Sequence, residues 1–150
     1  LDAGAGTGIL STAVIDRLIS EGYNGKIHLT CYETDKLVLP LLELNLKILS
    51  SKYGIDYTII HKNYITSQSF DSRSLFPEEK HEFDYIIGNP PYLKIAKDAE
   101  EAKAMPSVCY GSPNLYFLFW AMGIHNLKQE HELVYIVPRS WTSGAYFKKF

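Results

Sequence analysis

The chain has 150 residues, 46% of them hydrophobic, and a formal net charge of −2. That length suits one domain with a sizeable core, and the charge argues against a domain that grips nucleic acid through net charge alone. Two cysteines, Cys31 and Cys109, form neither a disulfide framework nor a zinc site and fit reduced thiols in a cytoplasmic protein, and no apolar run is long enough to span a membrane.

In chain order, "LDAGAGTG" reads as a strand end entering a glycine loop. In "ILSTAVIDRLIS" the residues Ile9, Leu10, Ala13, Val14 and Leu18 recur with a helical period, and "GYNG" breaks it. "KIHLTCYE" predicts a strand. "LVLPLLELNLKILSSKYG" predicts a helix that starts near Pro40, carries Leu37, Leu41, Leu44 and Ile48 on one face, and stops at Gly54. "IDYTIIHK" is a further short strand, and residues 66–82 are polar and turn-rich. "FDYIIGN" is the next strand, and residues 93–112 read as mixed and mobile. "NLYFLFWAMGIHNL" is an apolar helix, "ELVYIVP" a strand, and "TSGAYFKKF" the start of another helix. Since the chain opens on Leu1 and closes in mid-turn of that helix, a fragment of a longer protein is expected.

Strands alternating with helices imply an α/β fold, a mostly parallel sheet with helices on both faces. Ligands of such sheets bind beyond the carboxyl ends of the strands. The glycine loop, Glu33, Asn63 and Asn89 all fall at predicted strand ends, so four strands would deliver polar groups to one rim.

Each group has a plain reading and a chemical one. Gly4, Gly6 and Gly8 allow a tight turn and close approach to a ligand. Their spacing is neither the dinucleotide fingerprint nor a P-loop, so the loop alone specifies little. Asp2 just before it can accept from an ammonium group. Glu33, at the second strand's end, suits ribose hydroxyls, while Asp35 caps the helix that follows.

"IIGNPPY" is the most informative stretch. Asn89 and Pro90 each precede a proline and are pushed into extended conformations, and Pro90 and Pro91 lack N–H groups. The segment therefore presents an amide side chain and carbonyl oxygens on a stiff backbone. Such an acceptor pair suits an amino group with two hydrogens to donate. Tyr92 adds a flat face for a planar ring, and stacking of this kind is worth about 1–3 kcal/mol per base. The five histidines show no metal-ligand spacing, and no metal is expected. Arg139 fits a DNA phosphate contact and a surface ion pair equally well.

Taken in order, "DAGAGTG", "YETD", "IIGNPPY" and "NLYFLFW…ELVYIVPRSW" resemble the TaqI-like, gamma-class DNA adenine-N6 methyltransferases of restriction–modification systems. The resemblance implies a Rossmann-like S-adenosylmethionine-dependent methyltransferase fold, here incomplete at both ends. It lacks the preceding cofactor-contacting segment, the closing strands and the target-recognition domain. It assigns Asp2, Ala3, Gly4, Ala5, Gly6 and Gly8 to the methionine part of the cofactor, Glu33 to its ribose, and Asn63 with Tyr64 to its adenine. The family usually has an acid at the position of Asn63. Asn89, Pro90, Pro91 and Tyr92 become the catalytic motif, and the aromatic residues of 114–120 line the cofactor pocket.

The implied partner is double-stranded DNA with a flipped adenine, held mainly by the absent recognition domain. A fused or separate restriction endonuclease would accompany it. Two rivals stand beside this reading. One is a protein glutamine N5-methyltransferase acting on release factors, the other a non-catalytic subunit that keeps the fold as a cofactor-binding scaffold.

Overall fold

The computed structural model describes residues 1–70, 83–109 and 113–139. Its elements are α1 (Ile9–Ser20), β1 (His28–Tyr32), α2 (Leu39–Tyr53), β2 (Asp56–Ile60), β3 (Phe83–Gly88), α3 (Glu100–Ala104), α4 (Leu115–Asn126) and β4 (Leu127–Tyr135). The predicted helix over 142–150 and most of the 66–82 loop lie outside the described residues.

β1 pairs with β2 and β3 with β4, both in parallel. The opening residues join the two pairs. Asp2 bridges Cys31 on one side and Ile87 on the other, again in parallel. The Asp2 N–H donates to the Thr30 carbonyl at 2.8 Å, and the Ile87 N–H donates to the Leu1 carbonyl at 2.9 Å. The spatial order is thus β2, β1, Leu1–Asp2, β3, β4, with the glycine loop leaving the middle of the sheet.

Alternation along the strands sorts the core into two layers. Leu1, Ala3, Tyr32, Tyr64 and Ile86 pack with Leu118, Phe119 and Met122 of α4. Leu29 and Cys31 pack with Ile15 of α1 and with Leu42, Leu46 and Leu49 of α2. Helices therefore cover both faces. Asp2, lying between Leu1 and Ala3, points to the α1 side.

Three expectations change. Ser11 and Ile15 form the buried face of α1, while Ile9 is exposed; the Asp2 carboxyl lies beneath the helix and draws the hydroxyl inward. Leu37, Leu41, Leu44 and Ile48 do share a side at α2, but it faces solvent. Leu42, Leu46 and Leu49 turn inward instead, because this helix is apolar around most of its circumference. Of the stretch 93–112, residues 110–112 lie outside the described residues and the rest is in part ordered by pairing. The Leu115 N–H donates to the Leu93 carbonyl at 2.7 Å and the Ile95 N–H to the Pro113 carbonyl at 2.9 Å. That clasp, followed by α3, anchors the segment after Tyr92 to the start of α4.

Local signals set the helix limits. Pro lies at the first turn of α2, where its missing N–H costs nothing, and Gly54 closes the helix in the left-handed region at φ 66°. β4 begins directly at Leu127, earlier than the apolar run suggests. The polar residues before Leu133 are accommodated by a register irregularity opposite Phe83–Tyr85, with Glu130 at φ 63°. Among the described residues no helix is long and apolar enough to cross a membrane, and no His, Cys, Asp or Glu cluster could hold a metal ion.

Candidate active site

The chain turns sharply where the central strand ends. Gly6 and Gly8 adopt φ of 54° and 81°, a region that costs other residues about 1–2 kcal/mol. Gly8 is also the N-cap of α1, and a Cβ there would meet Leu42 Cδ1 at 3.0 Å. Asn45 of α2 ties the loop down by donating its side-chain N–H to the Thr7 carbonyl at 2.8 Å.

Glu33 organises the loop from the neighbouring strand. Its Oε2 accepts the Gly6 N–H at 2.7 Å, and its Oε1 accepts the N–H groups of Thr34 and Asp35 at 2.7 and 2.8 Å. A carboxylate oxygen has room for about two hydrogen bonds, so Oε2 retains an acceptor position. Asp35 caps locally, its Oδ1 accepting the Leu37 N–H at 2.8 Å.

Asp2 lies deeper. It is fully buried; its Oδ2 accepts the Ser11 hydroxyl at 2.6 Å, and its Oδ1 has no partner. Burial pushes its carboxyl up to about 6, against the lowering effect of the Ser11 hydrogen bond. Beside it, burial first and the Asp2 charge second push the Cys31 thiol up to about 12, which makes it a packing group and no nucleophile.

A cavity of about 250 Å³ opens at this rim, lined chiefly by Ala3, Gly4, Glu33, Tyr64, Asn89 and Phe119. Parts of the glycine loop, the acid after β1 and the amide after β3 thus share one space, whereas Asn63, the fourth strand-end group expected there, does not line it and Tyr64 does. Asp2 does not line it; the carboxyl expected to meet an ammonium group sits under α1.

Asn63 is placed close by but is engaged. Its Oδ1 accepts the N–H groups of Ile65 and Thr66 at 2.9 and 3.2 Å, and its Nδ2 donates to Glu101 Oε1 at 2.9 Å. The amide thus caps the turn after β2 and links it to α3. Tyr64 follows, buried, with its ring edge-on to Tyr32 at 5.1 Å and tilted against Phe119 at 5.3 Å. Its hydroxyl accepts from Asn126 Nδ2 at 3.1 Å, and burial raises its pKa well beyond the ordinary range for tyrosine.

The sequence signalled Phe119 through its aromatic helix. It missed Thr34, just after Glu33, and Tyr32 and Lys62, which also line the cavity. Each is the direct neighbour of a strand-end residue that was singled out, so widening every strand-end position by one residue either way would have found all three. Glu101 carried no signal, because its partner is 38 residues away.

The N-P-P-Y segment forms the outer lip. Asn89, Pro91 and Tyr92 are exposed and Pro90 is buried. Tyr92 is 49% exposed, and the buried Tyr116 supports it edge-on at 6.1 Å. Its hydroxyl donates toward Asn89 Oδ1 at 2.6 Å and toward the Ile136 carbonyl at 2.8 Å. Behind the lip, the Ile136 N–H donates to the Gly88 carbonyl at 3.0 Å. Arg139 is exposed beyond it.

A family described as Eco57I restriction-modification methylase matches residues 20–150. The chain is 35% identical over its full length to the type II methyltransferases M.BsuBI of Bacillus subtilis and M.PstI of Providencia stuartii, and spans about 30% of each. A tRNA1(Val) (adenine(37)-N6)-methyltransferase of Aliivibrio fischeri is 29% identical over 69% of the chain and 36% of its own length. Among solved structures, one described as a class I S-adenosylmethionine-dependent methyltransferase from Listeria monocytogenes superposes with a TM-score of 0.73. That match has 23% identity and covers 99% of this chain and 41% of the other. The fold is therefore that of the class I methyltransferases.

Proposed function

The chain belongs to the Eco57I restriction-modification methylase family, and on that premise we propose that its protein transfers a methyl group from S-adenosylmethionine to the N6 amino group of adenine in double-stranded DNA. The observation that carries this reading is the rim cavity, where Gly4, Glu33 and Tyr64 face the same space as Asn89 and Pro91. A methyl donor and an amino acceptor must meet at one opening, and a scaffold without turnover has no need of both sets of groups there.

The donor set fits the cofactor. Glu33 Oε2 keeps an acceptor position for a ribose hydroxyl while its other hydrogen bonds fix the carboxylate. Tyr32, Tyr64 and Phe119 supply an apolar aromatic wall for a purine. Ala3 to Gly8 give a backbone turn that can approach a polar chain closely. Asp2 acts from behind, fixing the start of α1 through Ser11. When bound, S-adenosylmethionine supplies a methyl group made electrophilic by its sulfonium sulfur.

Asn89, Pro90 and Tyr92 act on the acceptor. The lone pair of adenine's amino nitrogen is delocalised into the ring, so the nitrogen is a poor nucleophile. Asn89 Oδ1 and the Pro90 carbonyl accept its two hydrogens and favour a tetrahedral nitrogen with its lone pair free. The interaction is strongest as bonding begins, so it acts on turnover. The amino group is inaccessible within a duplex, and the base must leave the stack. The open face of Tyr92, backed by Tyr116, replaces part of the stacking lost. Pro91 stiffens the lip and shapes the cavity wall.

The tRNA relative and the release-factor alternative set the arms of the test. Full-length protein is incubated with methyl-labelled cofactor and, separately, unmethylated DNA, bulk tRNA and a release factor. Label in DNA, recovered as N6-methyladenine after hydrolysis, supports the proposal. Label confined to tRNA or to protein replaces it, and bound cofactor with no label transferred to any substrate favours the scaffold alternative.

A further inference from the structure

At the lip one proton serves two acceptors. Tyr92 Oη lies 2.6 Å from Asn89 Oδ1 and 2.8 Å from the carbonyl oxygen of Ile136, just beyond β4. A phenol carries a single donor hydrogen, and a backbone carbonyl can only accept. With the amide oxygen facing Tyr92, one of the two oxygens always meets a phenol lone pair at hydrogen-bond distance. Such a contact is repulsive.

The two ends of a side-chain amide are nearly isosteric, and their hydrogen bonds decide which end faces a given neighbour. Half a turn of the Asn89 amide removes the conflict. Nδ2 then donates to Tyr92 Oη, and Oη donates to the Ile136 carbonyl. Both contacts then pair one donor with one acceptor. The carbonyl end is held by the main chain, since the Ile136 N–H donates to Gly88 just before the motif.

We propose that the Tyr92 hydroxyl is a positioning group for Asn89: relayed to the Ile136 carbonyl, it accepts from Nδ2 and so turns Oδ1 away from itself, with its lone pairs left for an incoming amino group. The inference rests on the role given to Asn89 above. It assigns the hydroxyl a task that the stacking role alone does not require. It also makes Ile136, just past the end of β4 and 44 residues from Tyr92, part of the site's geometry. Stacking uses the face of the ring and the relay uses its edge, so one residue performs both.

The test uses full-length protein with Tyr92→Phe, Asn89→Ala and the double variant. Transfer from labelled S-adenosylmethionine to unmethylated DNA is resolved into kcat and KM. In parallel, the Asn89 side-chain amide signal is followed by nitrogen-15 NMR. Tyr92→Phe keeps the stacking face; it should lower kcat about tenfold, as expected for one net hydrogen bond, and leave both KM values unchanged. It should add no further loss in the Asn89→Ala background, and should move the Asn89 Nδ2 proton signal upfield as its acceptor is removed. Full kcat with an unmoved amide signal overturns the relay. A raised kcat overturns it too, because the hydroxyl would then hold Asn89 back. If Asn89→Ala itself keeps full activity, the reading of the site falls separately, and the NMR shift alone decides whether the relay exists.

Discussion

The two ends of the rim are built by opposite means. The glycine end is braced from behind: Asp2 is buried under α1, Glu33 holds the Gly6 N–H, and Asn45 holds the Thr7 carbonyl. The N-P-P-Y end is braced from its edges, by the Leu93–Leu115 and Ile95–Pro113 backbone bonds and by one phenol, while Asn89 and the Tyr92 ring remain open. A pocket for a small ligand can be fixed before the ligand arrives. On the proposed reading the acceptor arm admits a base from a duplex, which calls for an open face, and its stiffness then has to come from prolines and chain ends rather than from burial. Changes at the open end should therefore act on rate, and changes at the braced end on stability and cofactor affinity.

Asn89→Ala should have the largest effect. The side chain is exposed, so melting temperature should hardly move. The methyl-transfer rate should fall by about 100- to 1000-fold, as when one preorganised partner of a developing charge is removed. Single-turnover kinetics on full-length protein, beside thermal melts, make the check. An undiminished rate ends the role of Asn89, and a large loss of stability breaks the contrast between the two ends.

Asp2→Asn should act on stability, with a pH signature. Burial raises the folded carboxyl to about 6 from the ordinary aspartate value of 3.8. An acid raised on folding adds stability at low pH, where it is protonated in both states, and that stability is lost as pH climbs through about 6. The swing is on the order of 3 kcal/mol, at about 1.4 kcal/mol per pH unit. The asparagine variant cannot ionise and lacks the swing. Melts at pH 4 and pH 8 should show its stability relative to the parent rising with pH. A constant difference would mean that Asp2 titrates normally and is not the buried anchor of the glycine end.

Sequence patterns gave the strand-end residues because those signals are local. Positive φ asks for glycine at 6 and 8, and X-Pro sterics fix 89 and 90 whatever the surroundings. The alternating elements gave the parallel sheet for the same reason. What stayed hidden depends on residues distant in sequence. Whether Asp2 faces α1 or the rim is decided by the strands on either side of it. The inward side of α2 is decided by what packs on it, since both sides are apolar. Tyr92 finds Ile136 across 44 residues, so its hydroxyl looked idle in the sequence. Glu101 reaches Asn63 through a helix of only five residues, too short to announce itself by periodicity.

Glu33 sharpens the contrast with the smallest effect of the three. Its carboxylate accepts backbone N–H groups from both the loop and its own turn. In Glu33→Gln, Oε1 can still accept from Thr34 and Asp35, but Nε2 then faces the Gly6 N–H, donor against donor. The loop must shift or the amide must turn and release its own turn. A charge-assisted hydrogen bond is worth about 1.5–3 kcal/mol, so affinity for S-adenosylmethionine should fall about tenfold or more. Because the loss is in binding and not in the chemical step, kcat at saturating cofactor should stay close to that of the parent. Calorimetric titration of the cofactor beside saturating kinetics separates the two. Unchanged affinity with a reduced kcat would place Glu33 with the acceptor arm and erase the division between a braced donor side and an open acceptor side.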